Sequence, residues 1–317
     1  MIDEKTRVLA IVGPTASGKT ALSVELAQML DGEVINGDAM QVYKGLDIGT
    51  AKITEEEKRG VPHHLFDIKD PSETFSVAEY QIEVRNCIDD IIKRGKQPIL
   101  VGGTGLYIQS VIFDFRFTEE ASDEEVRRSL ESELSMDGGA ERLYERLRQI
   151  DPQSAEKIHP NNHRRLIRAL EIIEVTGKTK NDHEQGKGKT AVYDHLIVGL
   201  DLDREILYER IDRRVDIMLQ EGLQDEARML WDKGIRNVQS VQAIGYKEFH
   251  QYFEGTLTIE ETADLIKKNT RHYAKRQMTY FRNKMDISWF DALLAKEKMI
   301  DGILSILKDF QSDKSNM

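Results

Sequence analysis

The chain has one cysteine, Cys87, in 317 residues. A lone cysteine excludes an internal disulfide and a cysteine-rich zinc site. No apolar run approaches the roughly 20 residues that a membrane-spanning helix needs. The opening "MIDEKTR" lacks the shape of a signal peptide and leads directly into a strand-like run. The expectation is a cytoplasmic protein with no membrane partner. Positive charge is in the minority, with 45 Lys and Arg against 56 Asp and Glu, a net charge of −11. That total argues against a nucleic-acid partner. Distribution, however, decides what a surface binds. Hydrophobic residues make up 39% of the chain, enough to pack one large domain or two modest ones.

Strand-like runs alternate with helical spacing through most of the chain. "RVLAIVG" (7–13), "EVINGD" (33–38), "QPILVGGTG" (97–105) and "HLIVGLDL" (195–202) read as strands. "GKTALSVELAQMLDG" (18–32) spaces Leu22, Leu26 and Leu30 as a helix does and stops near Gly32. This order predicts an α/β fold whose mainly parallel sheet is flanked by helices, and the glycine-rich loop after its first strand, "GPTASGKT" (13–20), makes it a P-loop NTPase-like core. Residues 118–190 carry helical signal alone and read as an all-helical insertion domain. The core is then 1–117 together with 191–317. "SDEE" (122–125) reads as a capping box, with Ser122 as N-cap. "GKTKNDHEQGKGKT" (177–190) reads as a mobile surface loop and "QSDKSNM" as a fraying tail.

"GPTASGKT" (13–20) fits the phosphate-cradling pattern G-x-x-x-x-G-K-[ST]. Gly13 and Gly18 let the backbone turn tightly, so the N–H groups of Thr15, Ala16, Ser17 and Gly18 can face phosphate oxygens. The following helix adds its positive end. Lys19 adds a full charge, and the Thr20 hydroxyl is placed for Mg²⁺. The motif recognises a phosphate chain, not a base. A Walker-B partner would be an apolar strand ending in an acid. "PILVGG" ends in glycines and "LIVGLDL" carries Asp201 late, which weakens a motor-ATPase reading.

"NGDAMQVYKGLDIGTAK" (36–52) follows the second strand. Ligands of open parallel sheets collect beyond the strands' carboxyl ends. Asp38 is thus expected near the phosphate loop, where it could act as a general base. A lone Asp is otherwise an N-cap or an Asx-turn residue. His63 and His64 are adjacent, cannot complete a site, and are assigned a structural role.

Six blocks stand in order: "GPTASGKT", "DAMQVYKGLDIGTAK", "VPHHLFDI" (61–68), "GGTGLY" (102–107), "IGYKE" (244–248) and "YAKRQMTYFR" (273–282). Together they resemble the bacterial tRNA dimethylallyltransferase family, over residues 7 to about 290. Ala39 departs from the Ser usual there, and Tyr280 stands where Trp is common. The resemblance implies transfer of a dimethylallyl group from dimethylallyl diphosphate to N6 of adenine 37, beside the anticodon of tRNAs reading UNN codons. The phosphate loop then holds a leaving diphosphate. Asp38 takes the N6 proton, and Thr104 lies in the substrate channel, where its bland role is a helix cap. Arg214, out of Arg210, Arg213 and Arg214, is the expected diphosphate clamp; a solvated face is the other reading.

Residues 265–285 contain no acid. Lys268, Arg271, Lys275 and Arg282 share one side of a helix, opposite Ile266, Tyr273, Tyr280 and Phe281. A solvated face usually interleaves acids, so this stripe reads as an RNA phosphate contact, with Arg276 and Gln277 beside it. Arg164, Arg165 and Arg168 form a second patch. To reach N6 the base must leave its stack. Asp38, Ala39, Met40, Gln41, and Gln242, Gly245, Tyr246 and Lys247 are candidates to hold it and its neighbours. The expected partners are a tRNA anticodon stem-loop and dimethylallyl diphosphate, and the protein is expected to be a monomer. A small-molecule kinase using ATP is the alternative, but such an enzyme has no use for an acid-free basic stripe.

Overall fold

A computed structural model describes residues 7–115, 117, 123–179, 190–236 and 238–315. They fall into two compact units, one of residues 7–113 with 191–315 and the other of residues 114–190.

The first unit is built on six strands: β1 (Arg7–Val12), β2 (Gly32–Asn36), β3 (His63–His64), β4 (Gln97–Gly102), β5 (Asp194–Asp201) and β6 (Ser288–Asp291). Their order is β3-β2-β4-β1-β5-β6, and every pairing is parallel. A parallel sheet is covered on both faces, so its strands are apolar throughout instead of alternating. Val8 to Val12 accordingly have no exposed surface. The helices of this unit are α1 (Lys19–Leu30), α2 (Glu55–Lys58), α3 (Val77–Lys93), α4 (Gly105–Ile112) and, after the second unit, α9 (Arg204–Gln220), α10 (Leu223–Asp232), α11 (Lys247–Phe253), α12 (Ile259–Lys284) and α13 (Lys296–Ser315). Capping boxes start three of them, through Thr54 and Glu57, Ser76 and Glu79, and Thr258 and Glu261. One apolar cluster joins β1, β2 and β4 to α3, α4 and α12, and another packs α1 and α13 on the other strand residues.

The second unit contains α5 (Glu124–Leu134), α6 (Gly139–Ile150), α7 (Pro152–Lys157) and α8 (His163–Thr176), closed on Leu130, Leu143, Leu147, Leu166 and Leu170.

Several local expectations change. Asp123 is the N-cap of α5, its carboxylate accepting from the Glu125 and Val126 amides; Ser122 lies outside the described residues. Asp and Ser cap equally well, so the neighbouring carboxylate is an equally good helix start. Helix α1, by contrast, stops as expected near Gly32: it ends at Leu30, Asp31 is its left-handed C-cap and Gly32 opens β2. Residues 180–189 of the expected mobile loop lie outside the described residues. Helix α13 continues through Ser315, into the segment expected to fray. No helix among the described residues is long and apolar enough to cross a membrane.

Candidate active site

The sheet order sets the ends of β2, β4 and β1 side by side. Three loops therefore leave the same edge: the phosphate loop after β1, the Asp38 loop after β2 and the Gly102–Thr104 turn after β4.

The phosphate loop has the required strained backbone. Gly18 sits at φ 93 and Ala16 at φ 64, both left-handed. That conformation costs an alanine about 1 kcal/mol, and it turns successive amides inward. Lys19 Nζ donates to the Pro14 carbonyl at 2.6 Å. The Ser17 hydroxyl is buried and has no hydrogen-bond partner among the described residues. Helix α1 has no acid in its first turn, so its positive end is uncompensated.

Asp38 is held from several sides. Asn36, itself buried, accepts from the Asp38 amide at 2.8 Å and donates to the Asp38 carbonyl at 3.1 Å. The Asp38 carboxylate accepts from the Met40 amide at 2.8 Å. The Asx-turn is therefore real, and it orients a functional candidate. Burial raises the Asp38 pKa, opposed by the Met40 amide and the charges of Lys19 and Arg214. Burial, then the charge of Arg214, lowers Lys19 to about 7, while Asp38 acts in the other direction. Arg214 is lowered by burial, opposed by Asp38, Glu57 and Glu221. Lys19, Asp38 and Arg214 thus lie within electrostatic reach of one another. Arg210 and Arg213 of the same helix are exposed.

Thr104 occupies the N-cap position of α4 but makes no side-chain cap; its hydroxyl accepts from the Ala39 amide at 3.4 Å. Tyr273 lies beside Thr104 and Gln277, its hydroxyl pushed up to about 12 by burial. Tyr280 donates to Gln109 at 2.5 Å.

Gln277, expected at an RNA surface, is buried. Its Oε1 accepts from the Thr15 amide at 3.0 Å and its Nε2 donates to the Gly103 carbonyl at 2.9 Å. Gly245 and Tyr246 are also inside the fold. The Gly245 amide donates to Glu248 and the Tyr246 hydroxyl to Glu226, at 2.8 and 2.6 Å. Burial and the Glu226 carboxylate push the Tyr246 hydroxyl far up, so it remains a donor. Gln242 and Lys247 are exposed, and Met40 and Gln41 half-buried.

The basic stripe is less uniform than its sequence. Arg271 pairs with Asp212 of α9 at 2.5 Å, and Arg282 with Asp201 at 2.6 Å. A neighbouring helix and a strand end supply the acids that α12 lacks locally. Lys268, Lys275 and Arg276 are exposed. In the second unit Arg164 and Arg165 are exposed, while Arg168 and Arg127 both hold the buried Glu171, each at 2.8 Å. His64 Nε2 lies 2.6 Å from Glu33, which Arg94 and then His64 keep at about 2 despite its burial.

Asn36, Glu226 and Tyr273 were not singled out as site residues from the sequence. Only Asn36 carried a signal there, as a short amide two residues before the Asp at a strand end.

Residues 41–284 match the IPP transferase family. The tRNA dimethylallyltransferase of Bacillus licheniformis is 56% identical over 90% of this chain and 91% of its own. A crystal structure of the tRNA isopentenylpyrophosphate transferase from Bacillus halodurans superposes with TM-score 0.75 at 51% identity, covering 98% of each chain. A eukaryotic dimethylallyltransferase, captured acting on tRNA, gives TM-score 0.81 at 34% identity over 97% of this chain and 80% of its own. With its phosphate loop, its all-parallel sheet and this breadth of similarity, the chain belongs to the IPP transferase family.

Proposed function

We propose that this enzyme transfers the dimethylallyl group of dimethylallyl diphosphate to N6 of the adenine next to the anticodon of tRNA. The observation that carries the reading is that Asp38, fixed by Asn36 and the Met40 amide, leaves the same end of the sheet as the phosphate loop that carries Lys19, in mutual electrostatic reach. One site holds both a carboxylate base and the cations of a diphosphate cradle. Its relatives' names, and a homologous structure acting on tRNA, support the RNA acceptor.

The exocyclic amine of adenine is a weak nucleophile because its lone pair is delocalised into the ring. As N6 bonds to the allylic carbon, the carbon–oxygen bond breaks and its electron pair leaves with the diphosphate. The N6 proton passes to Asp38, whose raised pKa brings it nearer the working pH of a general base. Lys19, Arg214, Ser17 and the loop amides of Ala16, Ser17 and Gly18 receive the leaving charge; the Thr15 amide, expected to join them, is taken by Gln277 instead. Preorganised groups of this kind are commonly the largest catalytic contribution, about a hundredfold or more per donor. Thr104 lines the approach beside Asp38, through its link to Ala39.

Mg²⁺ fits this donor set. It binds largely through substrate phosphates and retained waters, so Thr20, exposed at the start of α1, suffices as a protein ligand. Among the described residues no three His, Cys, Asp or Glu form a cage for it. When bound it neutralises charge on the leaving diphosphate.

The RNA backbone is assigned to Lys268, Lys275 and Arg276 of α12, with Arg164 and Arg165 of the helical unit as a second contact. The enzyme acts as a monomer in the cytoplasm. Incubation with unmodified tRNA and labelled dimethylallyl diphosphate, without ATP, should place label in the RNA. Unlabelled RNA together with ATP turnover would return the kinase reading.

A further inference from the structure

Glu226 lies on α10, outside every motif of the sequence, and its carboxylate takes four hydrogen bonds. Oε2 accepts from the amides of Asp47 at 2.8 Å and Ile48 at 2.9 Å; Oε1 accepts from the Gly49 amide at 2.9 Å and the Tyr246 hydroxyl at 2.6 Å. Three successive amides converging on one anion form a nest, here filled by the protein's own carboxylate. All four donors are neutral. The Tyr246 ring lies directly on this loop, because a side chain at Gly49 would come within 2.6 Å of it.

The gripped loop leads back to the base. Gln41 Nε2 donates to the Thr50 and Ala51 carbonyls at 3.0 and 3.3 Å. Gln41 follows Met40, whose amide donates to the Asp38 carboxylate at 2.8 Å. Lys52 closes the same loop, reaching the Tyr43 carbonyl at 2.9 Å and the Asp47 and Asp67 carboxylates. A continuous path of hydrogen bonds and short chain segments therefore joins Glu226 to Asp38.

We infer that Glu226 is a positioning residue for the transfer reaction: by holding the amides of Asp47, Ile48 and Gly49 it sets the loop that fixes Gln41 and, through it, the Asp38 carboxylate. This rests on the transfer reading above. In Glu226→Gln one acceptor oxygen becomes an amide donor facing other donors, while the size is kept.

The experiment is a cycle of wild type, Glu226→Gln, Asp38→Asn and the double variant, read by single-turnover prenyl transfer. Hydrogen exchange of peptides within 38–51 is measured alongside. Glu226→Gln should slow transfer roughly ten- to a hundredfold, as small misplacements of a catalytic group do. Its KM for dimethylallyl diphosphate should stay within about twofold, and exchange in 38–51 should quicken. In the Asp38→Asn background the second substitution should cost under about twofold. Equal losses in both backgrounds, or unchanged exchange, overturn the inference. Should Glu226→Gln fold poorly, Tyr246→Phe removes one donor and leaves the ring; it should shift exchange and rate in the same directions, and no shift in either counts against the proposal. A wild type that labels no RNA sinks the transfer reading separately, while the exchange arm still scores the grip on the loop.

Discussion

Gln277 accepts a hydrogen bond from the Thr15 amide at 3.0 Å across 262 residues of sequence, and donates to the Gly103 carbonyl at 2.9 Å. One buried side chain of α12 thereby ties the phosphate loop to the turn that carries Thr104. Gln277→Ala leaves a cavity and two unpaired backbone groups. It should lower stability by roughly 1–3 kcal/mol and raise KM for dimethylallyl diphosphate. Urea unfolding and steady-state kinetics read the two effects; an unchanged KM would show that the loop holds its shape without this strut.

Asp38→Asn keeps the size of the side chain and removes its basicity. Transfer should fall about 10²–10⁴-fold, the usual worth of a general base. tRNA should still bind in a filter or mobility assay. Full activity would remove Asp38 from the role.

The diphosphate site should depend on pH through Lys19. Burial, then Arg214, holds the folded Lys19 at about 7, below the ordinary 10.5. Between these values the unfolded chain carries the extra proton, so this group's contribution to stability grows as pH rises through that window. Binding runs the opposite way, since the diphosphate prefers the charged ammonium. Affinity for pyrophosphate should be greatest below about pH 7 and lose up to about tenfold per unit above it. Calorimetric titration of wild type against Lys19→Gln isolates the effect; equal slopes in the two proteins would refute it.

Lys275 and Arg271 should behave differently, although both lie on the same stripe. Lys275 is exposed, whereas Arg271 is already bound to Asp212. Lys275→Glu should weaken tRNA binding and flatten its salt dependence by about 0.7–0.9 for each phosphate left without its cation. Arg271→Gln should change the slope less. Identical slopes for wild type and Lys275→Glu would make the stripe an ordinary solvated face.

The central strands were legible because β1, β2, β4 and β5 are runs of β-branched and apolar residues between turns. Strands β3 and β6 were not, being two and four residues at the sheet's edges. Asp38 and Lys19 could be found from local motifs. Gln277 could not be placed correctly, because a polar residue on a basic helix looks solvated until the facing loops are known. The same holds for Glu226, whose partners lie 177 to 179 residues away in sequence. The absence of acids in 265–285 was a true local fact, yet Asp212 and Asp201 reach Arg271 and Arg282 from other elements. Ion pairs between elements leave no periodic trace.

Phe113 and Ala191 form an antiparallel bridge, and the Val192 amide donates to the Ile112 carbonyl at 2.8 Å. The chain thus departs from the core and returns to it at one point. In engineering terms the intervening segment is a cassette: a tight turn joining Phe113 to Ala191 would leave every strand of the sheet with its present neighbours. The loops that follow β1, β2 and β4 all belong to the part that such an excision spares.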